Sequence, residues 1–144
     1  MYRSIVVGTD GSETAARALD EATRLAAALA CPVHVVSAYE PIRGAKVASP
    51  TNAAVEGHAV ASDAEVRTIV DEAAARVRMG GAEAETHTVA GDPADALLEV
   101  AETVGANLIV VGSRGMTGAR RVLGSVPNSV AHNADCSVLI VQTA

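Results

Sequence analysis

The sequence predicts one α/β domain, a five-stranded parallel sheet between two layers of helices. Five apolar, β-branched runs lie at 4–9, 32–39, 83–91, 106–112 and 136–142, and helical stretches separate them. Three of the runs are nearly unbroken Val, Ile and Leu, the composition of strands covered on both faces. Strand–helix alternation that ends on a strand requires right-handed crossovers, and so a parallel sheet with helices on each side. With 144 residues the chain is one domain by size, residues 1–144.

The first run, "SIVVGT", leads into "SETAARALDEATRLAAALA" at 12–30. Ser12 is the N-cap candidate there, strong helix formers follow it, and Pro32 stands just past the end. Ala15, Leu19, Ala22, Leu25, Ala26 and Leu29 fall on one stripe, with Arg17, Asp20 and Arg24 away from it. The second run, "PVHVVSAY", precedes the one long irregular stretch, 40–62, rich in small residues with two prolines and two glycines. A stretch of that length reads as a flexible loop, either a partly ordered lid or interaction loop or simply unstructured.

"DAEVRTIVDEAAARVRMGG" at 63–81 is the second helix, with Asp63 as cap and Gly80–Gly81 as stop. The third run alternates, Ala84, Thr86 and Thr88 against Glu85, His87 and Val89, as an edge or partly exposed strand would. In "DPADALLEVAETVG" Asp92 caps, Pro93 takes the first helical position and Gly105 closes. After the fourth run, "VPNSVAHNA" reads as a short helix, with Ser125 as its N-cap and Pro127 tolerated in its first turn.

About half the residues are apolar, yet there is no Phe or Trp and only two Tyr, so the core is aliphatic. A ligand base would meet aliphatic side chains and backbone. The net charge of −6 argues against nucleic acid or an anionic membrane as partner. No apolar run approaches a spanning helix, and "MYRSIVVGTD" lacks a signal-peptide pattern, so a cytoplasmic protein is expected. Cys31 and Cys136 have no metal or redox spacing and read as small hydrophobes. His34, His58, His87 and His132 are scattered without ligand spacing.

Parallel sheets bind ligands outside the carboxyl ends of their strands, where the strand order reverses. That directs attention to 8–12, 38–57, 90–93 and 112–125. The last of these, "GSRGMTGARRVLGS", follows a buried strand and precedes a capped helix. Gly112 and Gly115 let backbone approach a phosphate, successive N–H groups form an anion-binding concavity, and Gly124–Ser125 opens a helix. Arg114, Arg120 and Arg121 add positive charge. The plain alternative is a glycine-rich turn with solvated arginines; the setting favours a phosphate cradle. In "GTDGS" at 8–12, Asp10 either caps a helix or contacts a ribose hydroxyl or a divalent metal.

These stretches, with "GDPADALLEVAE", "ANLIVVGSRG" and "LGSVPNSVAHNADCSVLIV", give the whole chain a resemblance to the universal stress proteins, UspA-like and of the ATP-binding type. The resemblance implies a Rossmann-like, adenine nucleotide alpha hydrolase-like three-layer sandwich that binds ATP as a regulatory ligand in stress response. ATP-binding members carry a glycine, two residues, a glycine, a spacer, then Gly-Ser or Gly-Thr. Gly112, Gly115, Gly124 and Ser125 occupy those positions, although the eight residues between Gly115 and Gly124 are one fewer than usual.

By the same resemblance Asp10 lies near the ribose and phosphates, Thr9, the backbone around Ala38 and Val111 line the adenine side, and Gly8 is a further nucleotide-binding residue. Ser113, Arg114, Ser125 and Val126 lie toward the phosphates. Relatives with a similar "GSVP" ending bind cyclic AMP, so cyclic AMP or AMP is the alternative ligand. An interaction module that binds no nucleotide is the alternative of another class. No hydrolytic motif is present, so at most slow turnover with Mg2+ at Asp10 is expected. The resemblance also implies a homodimer paired through the strand at 136–142.

Overall fold

The computed structural model describes residues 1–40, 63–113 and 124–143 of the chain. In order, these form β1 (Ile5–Gly8), α1 (Glu13–Leu29), β2 (Val33–Tyr39), α2 (Asp63–Met79) and β3 (Ala84–Ala90). Then come α3 (Pro93–Val104), β4 (Leu108–Gly112), α4 (Ser125–Asn133) and β5 (Ser137–Val141). Every expected strand and helix is present, with ends displaced by two residues at most. The loop expected at 40–62 falls, after Glu40, outside the described residues.

The sheet order is β3-β2-β1-β4-β5, and every pairing is parallel. The chain starts at the centre, steps outward through β2 to β3, then crosses to β4 and β5. Strand order therefore reverses between β1 and β4. The third run is an edge strand, as its alternation predicts.

Alternation along the central strands divides the core in two. Ile5, Val7, Val33, Val35, Leu108 and Val110 face α1 and α2, while Val6, Val36, Ile109 and Val111 face α3 and α4. Burying a Val or Ile side chain stabilises by roughly 1.5–3 kcal/mol, so these two aliphatic layers hold the sandwich without aromatic residues. On α1 the buried positions are Ala18, Leu19, Ala22, Thr23 and Ala26, while Leu25 and Leu29 are only half-buried. Thr23 is tolerated there because its hydroxyl donates to Leu19 O at 2.7 Å.

Helix ends follow the sequence closely. Ser12 Oγ accepts from Ala15 N at 3.2 Å, and Asp92 Oδ2 accepts from Asp95 N at 3.1 Å. Pro93 opens α3, and Gly105 closes it in the left-handed region at φ 67°. Two caps differ from expectation. Asp63 lies within the first turn of α2, its carboxylate 3.4 Å from Arg67 Nε. In α4 the N-cap is Gly124, and Ser125 is the first helical residue and makes no cap bond. Gly124 is extended at the cap position, and its N–H donates to Ser113 O at 3.4 Å.

Cys31 is buried and Cys136 half-buried, and burial raises both thiols above their ordinary range, as befits small hydrophobes. Among the described residues no helix is long and apolar enough to cross a membrane.

Candidate nucleotide-binding cleft

At the carboxyl ends of β1 and β4, where the strand order reverses, lies a cavity of about 130 Å³. Gly8, Thr9 and Asp10 form its floor, continuing β1 into the turn before α1. The turn is self-supporting. Thr9 N donates to Val36 O at 2.9 Å, Gly11 N to Thr9 Oγ1 at 3.0 Å, and Ser12 N to Asp10 Oδ1 at 2.9 Å. Asp10 thus makes an Asx turn while standing exposed at the cleft's rim.

The walls are aliphatic. Val36 and Ala38 come from β2, Pro93 and Leu97 from α3, Val111 from β4, and Val126 and Pro127 from α4. Gly8 is what lets α3 close on the sheet, since a Cβ there would lie 3.1 Å from Leu97 Cδ2. Thr9, Asp10, Thr14 and Ser37 add polar groups to the lining. An apolar slot with a few polar groups suits a flat ring carrying a polar tail.

The first turns of the helices differ. α1 has Glu13 and α3 has Asp95 in the first turn, whereas α4 has no acidic residue there and no side-chain cap. The positive end of the α4 dipole is therefore the one left uncompensated by the chain's own carboxylates. It stands beside Val126 and Pro127, at the cleft.

Of the expected site residues, Gly8, Thr9, Asp10, Ala38, Val111, Gly112 and Val126 line this cleft. Ser113 does not. It is 1% exposed, and its hydroxyl bonds Gln142 Oε1 at 3.0 Å and the Thr143 N–H at 3.1 Å. That hydroxyl is committed to the C-terminal segment. Gly124 and Ser125 stand at the head of α4 without lining the cavity. Arg114, Gly115, Arg120 and Arg121 belong to 114–123, outside the described residues.

The sequence reading missed Thr14, Ala15, Val36, Ser37, Pro93, Leu97 and Pro127 as cleft residues. Pro93 reads in the sequence as a helix start, although 90–93 lies just after a strand. Leu97 follows it by one helical turn on the buried face, a spacing that could have flagged it. Among the described residues no group of three or more His, Cys, Asp or Glu could hold a metal ion.

The universal stress protein family model matches residues 1–142. The chain belongs to the universal stress protein family. It is 38% identical over 148 residues to universal stress protein Rv1636 of Mycobacterium tuberculosis, covering 99% of this chain and 97% of that one. A crystal structure of a universal stress protein in complex with cAMP is 41% identical, with a TM-score of 0.79 and 99% of each chain covered. A universal stress protein from Archaeoglobus fulgidus in complex with dAMP is 28% identical, with a TM-score of 0.72 and 98% of each chain covered.

Proposed function

We propose that this universal stress protein binds an adenine nucleotide in the cleft between β1 and β4, with ATP as a regulatory ligand in the stress response. The observation that carries this reading is the convergence of Gly8–Asp10, Ala38, Val111–Gly112 and Val126 on one cavity. The similar structures in complex with cAMP and dAMP support it. The base lies against Val36, Ala38 and Val111, and Asp10 faces the ribose. The phosphates extend toward Gly112, the head of α4 at Gly124–Ser125, and the segment carrying Arg114 and Gly115. Asp10 is the only carboxylate lining the cleft among the described residues, so a magnesium ion would be held chiefly by the phosphates and water.

The role is binding, with hydrolysis at most slow, since the sequence carries no hydrolytic motif. A second reading, cyclic AMP as the ligand, is favoured by the cAMP complex and by the spacer that is one residue short. The protein acts in the cytoplasm as a homodimer. β5 is an edge strand whose apolar residues 138–141 are only half-buried, and an edge of that kind is safest when paired.

Calorimetry with ATP, AMP and cyclic AMP, beside sedimentation of the protein alone, tests these readings. Saturable binding of ATP with weaker cyclic AMP supports the first, and the reverse order supports the second. No heat with any of the three overturns both and leaves an interaction module.

A further inference from the structure

The two edge-side strands carry a pair of histidines that the nucleotide cleft does not use. β2 and β3 pair with His34 opposite Glu85 and Val36 opposite His87. His34 and His87 therefore stand on one face of the sheet, diagonal to each other across the ladder. His34 Nδ1 lies 2.9 Å from His87 Nε2, a hydrogen bond that joins two neighbouring strands. The rings are tilted by 43° with centroids 5.1 Å apart. His34 is 6% exposed and His87 half-buried.

A bond between two imidazole nitrogens needs one donor and one acceptor. The pair satisfies this with both rings neutral, and again with a single added proton. With two added protons, N–H faces N–H at 2.9 Å and two like charges share a partly buried site.

The surroundings do little to relieve that repulsion. Across the ladder from His34 stand Val6 on β1 and Glu85 on β3. Glu85 is exposed, as are Asp95, Glu99 and Glu102 on α3, the helix packed over this face. Burial holds His87 below the ordinary histidine range, a charge on His34 lowers it further, and Glu85 only partly opposes them.

We propose that His34 and His87 form a proton-sharing lock that holds the edge strand β3 on β2 near neutral pH and loosens it in acid. Unfolded histidines take up protons near pH 6.5, while the native pair resists the second one. Below that pH the unfolded state binds more protons, so stability falls as pH falls. A deficit of one proton lowers the folding equilibrium constant about tenfold per pH unit. β3 makes its sheet pairing with β2 alone and runs through Gly91, whose N–H donates to Tyr39 O at 2.8 Å, into the start of α3.

The test combines two measurements on the full chain. Side-chain NMR titration of the wild type should show one of these imidazoles staying neutral at least about one pH unit below the ordinary histidine midpoint. Amide exchange in β3, corrected for intrinsic rate and referred to β1, should accelerate about four- to five-fold between pH 6.5 and 5.5, where the unfolded histidines are still filling. In His87→Gln, which keeps a hydrogen-bonding amide but cannot titrate, that acceleration should shrink markedly. Both imidazoles protonating at the ordinary midpoint overturns the proposal, and so does an unchanged pH response in the variant. The wild-type titration decides the matter even where the variant fails to fold.

Discussion

Ser113 Oγ accepts the Thr143 N–H at 3.1 Å, tying the end of β4 to the last described residue of the chain. The same hydroxyl reaches Gln142 Oε1 at 3.0 Å, and Arg17 Nη1 donates to Thr143 O at 3.1 Å. Thr143 is 1% exposed, so β5 leaves the sheet through a buried clamp shared by β4 and α1. Ser113→Ala removes the acceptor and leaves a buried N–H unpaired, which costs about 1–3 kcal/mol. Urea denaturation should show a lower midpoint by that amount with an unchanged slope.

Gly112 belongs to the same clamp. A Cβ at this position would lie 3.0 Å from Thr143 Cγ2. Gly112→Ala should therefore destabilise by about 1–3 kcal/mol through crowding. Thr143→Ser removes the methyl in the way, and the double variant should recover most of the loss. Such non-additivity, measured in a double-mutant cycle, assigns the glycine a packing role in addition to any ligand. Additive losses would contradict it.

The contrast explains which parts of the molecule were legible beforehand. Strands and helix boundaries follow from local signals: Ser12, Asp92, Pro93 and Gly105 act on their own few neighbours. The position of the cleft followed from topology alone, because strand–helix alternation fixes where ligands can sit. The role of Ser113 did not, since its partners Gln142 and Thr143 are nearly thirty positions away, at 29 and 30 residues. His34 and His87 read as scattered for the same reason: 53 residues separate them in the chain and one hydrogen bond joins them in the sheet.

α1 and α2 are joined by a bidentate ion pair, Arg76 Nε to Asp20 Oδ1 at 2.6 Å and Arg76 Nη2 to Asp20 Oδ2 at 2.7 Å. The Arg76 hydrogen bond is the main cause holding the Asp20 carboxyl below its ordinary range. A depressed carboxyl contributes stability above its unfolded midpoint and loses it as pH falls through the folded one. Both side chains are more than a third exposed, so screening limits the pair to about 0–1 kcal/mol. Asp20→Asn should lower the melting temperature slightly at neutral pH, and the difference should vanish in strong acid.

Two substitutions separate the turn bond that Asp10 makes from the charge it places at the rim of the cleft. Its Oδ1 accepts from Ser12 N at 2.9 Å and shapes the turn, a bond that an asparagine carbonyl can also make. Asp10→Asn should therefore leave thermal stability nearly unchanged while removing the charge at the rim of the cleft. Asp10→Ala loses the turn bond as well and should melt lower. If the carboxylate helps hold magnesium against the phosphates, Asp10→Asn weakens ATP binding several-fold in magnesium and hardly at all in a chelator. Equal affinity of wild type and Asp10→Asn under both conditions would confine Asp10 to the turn.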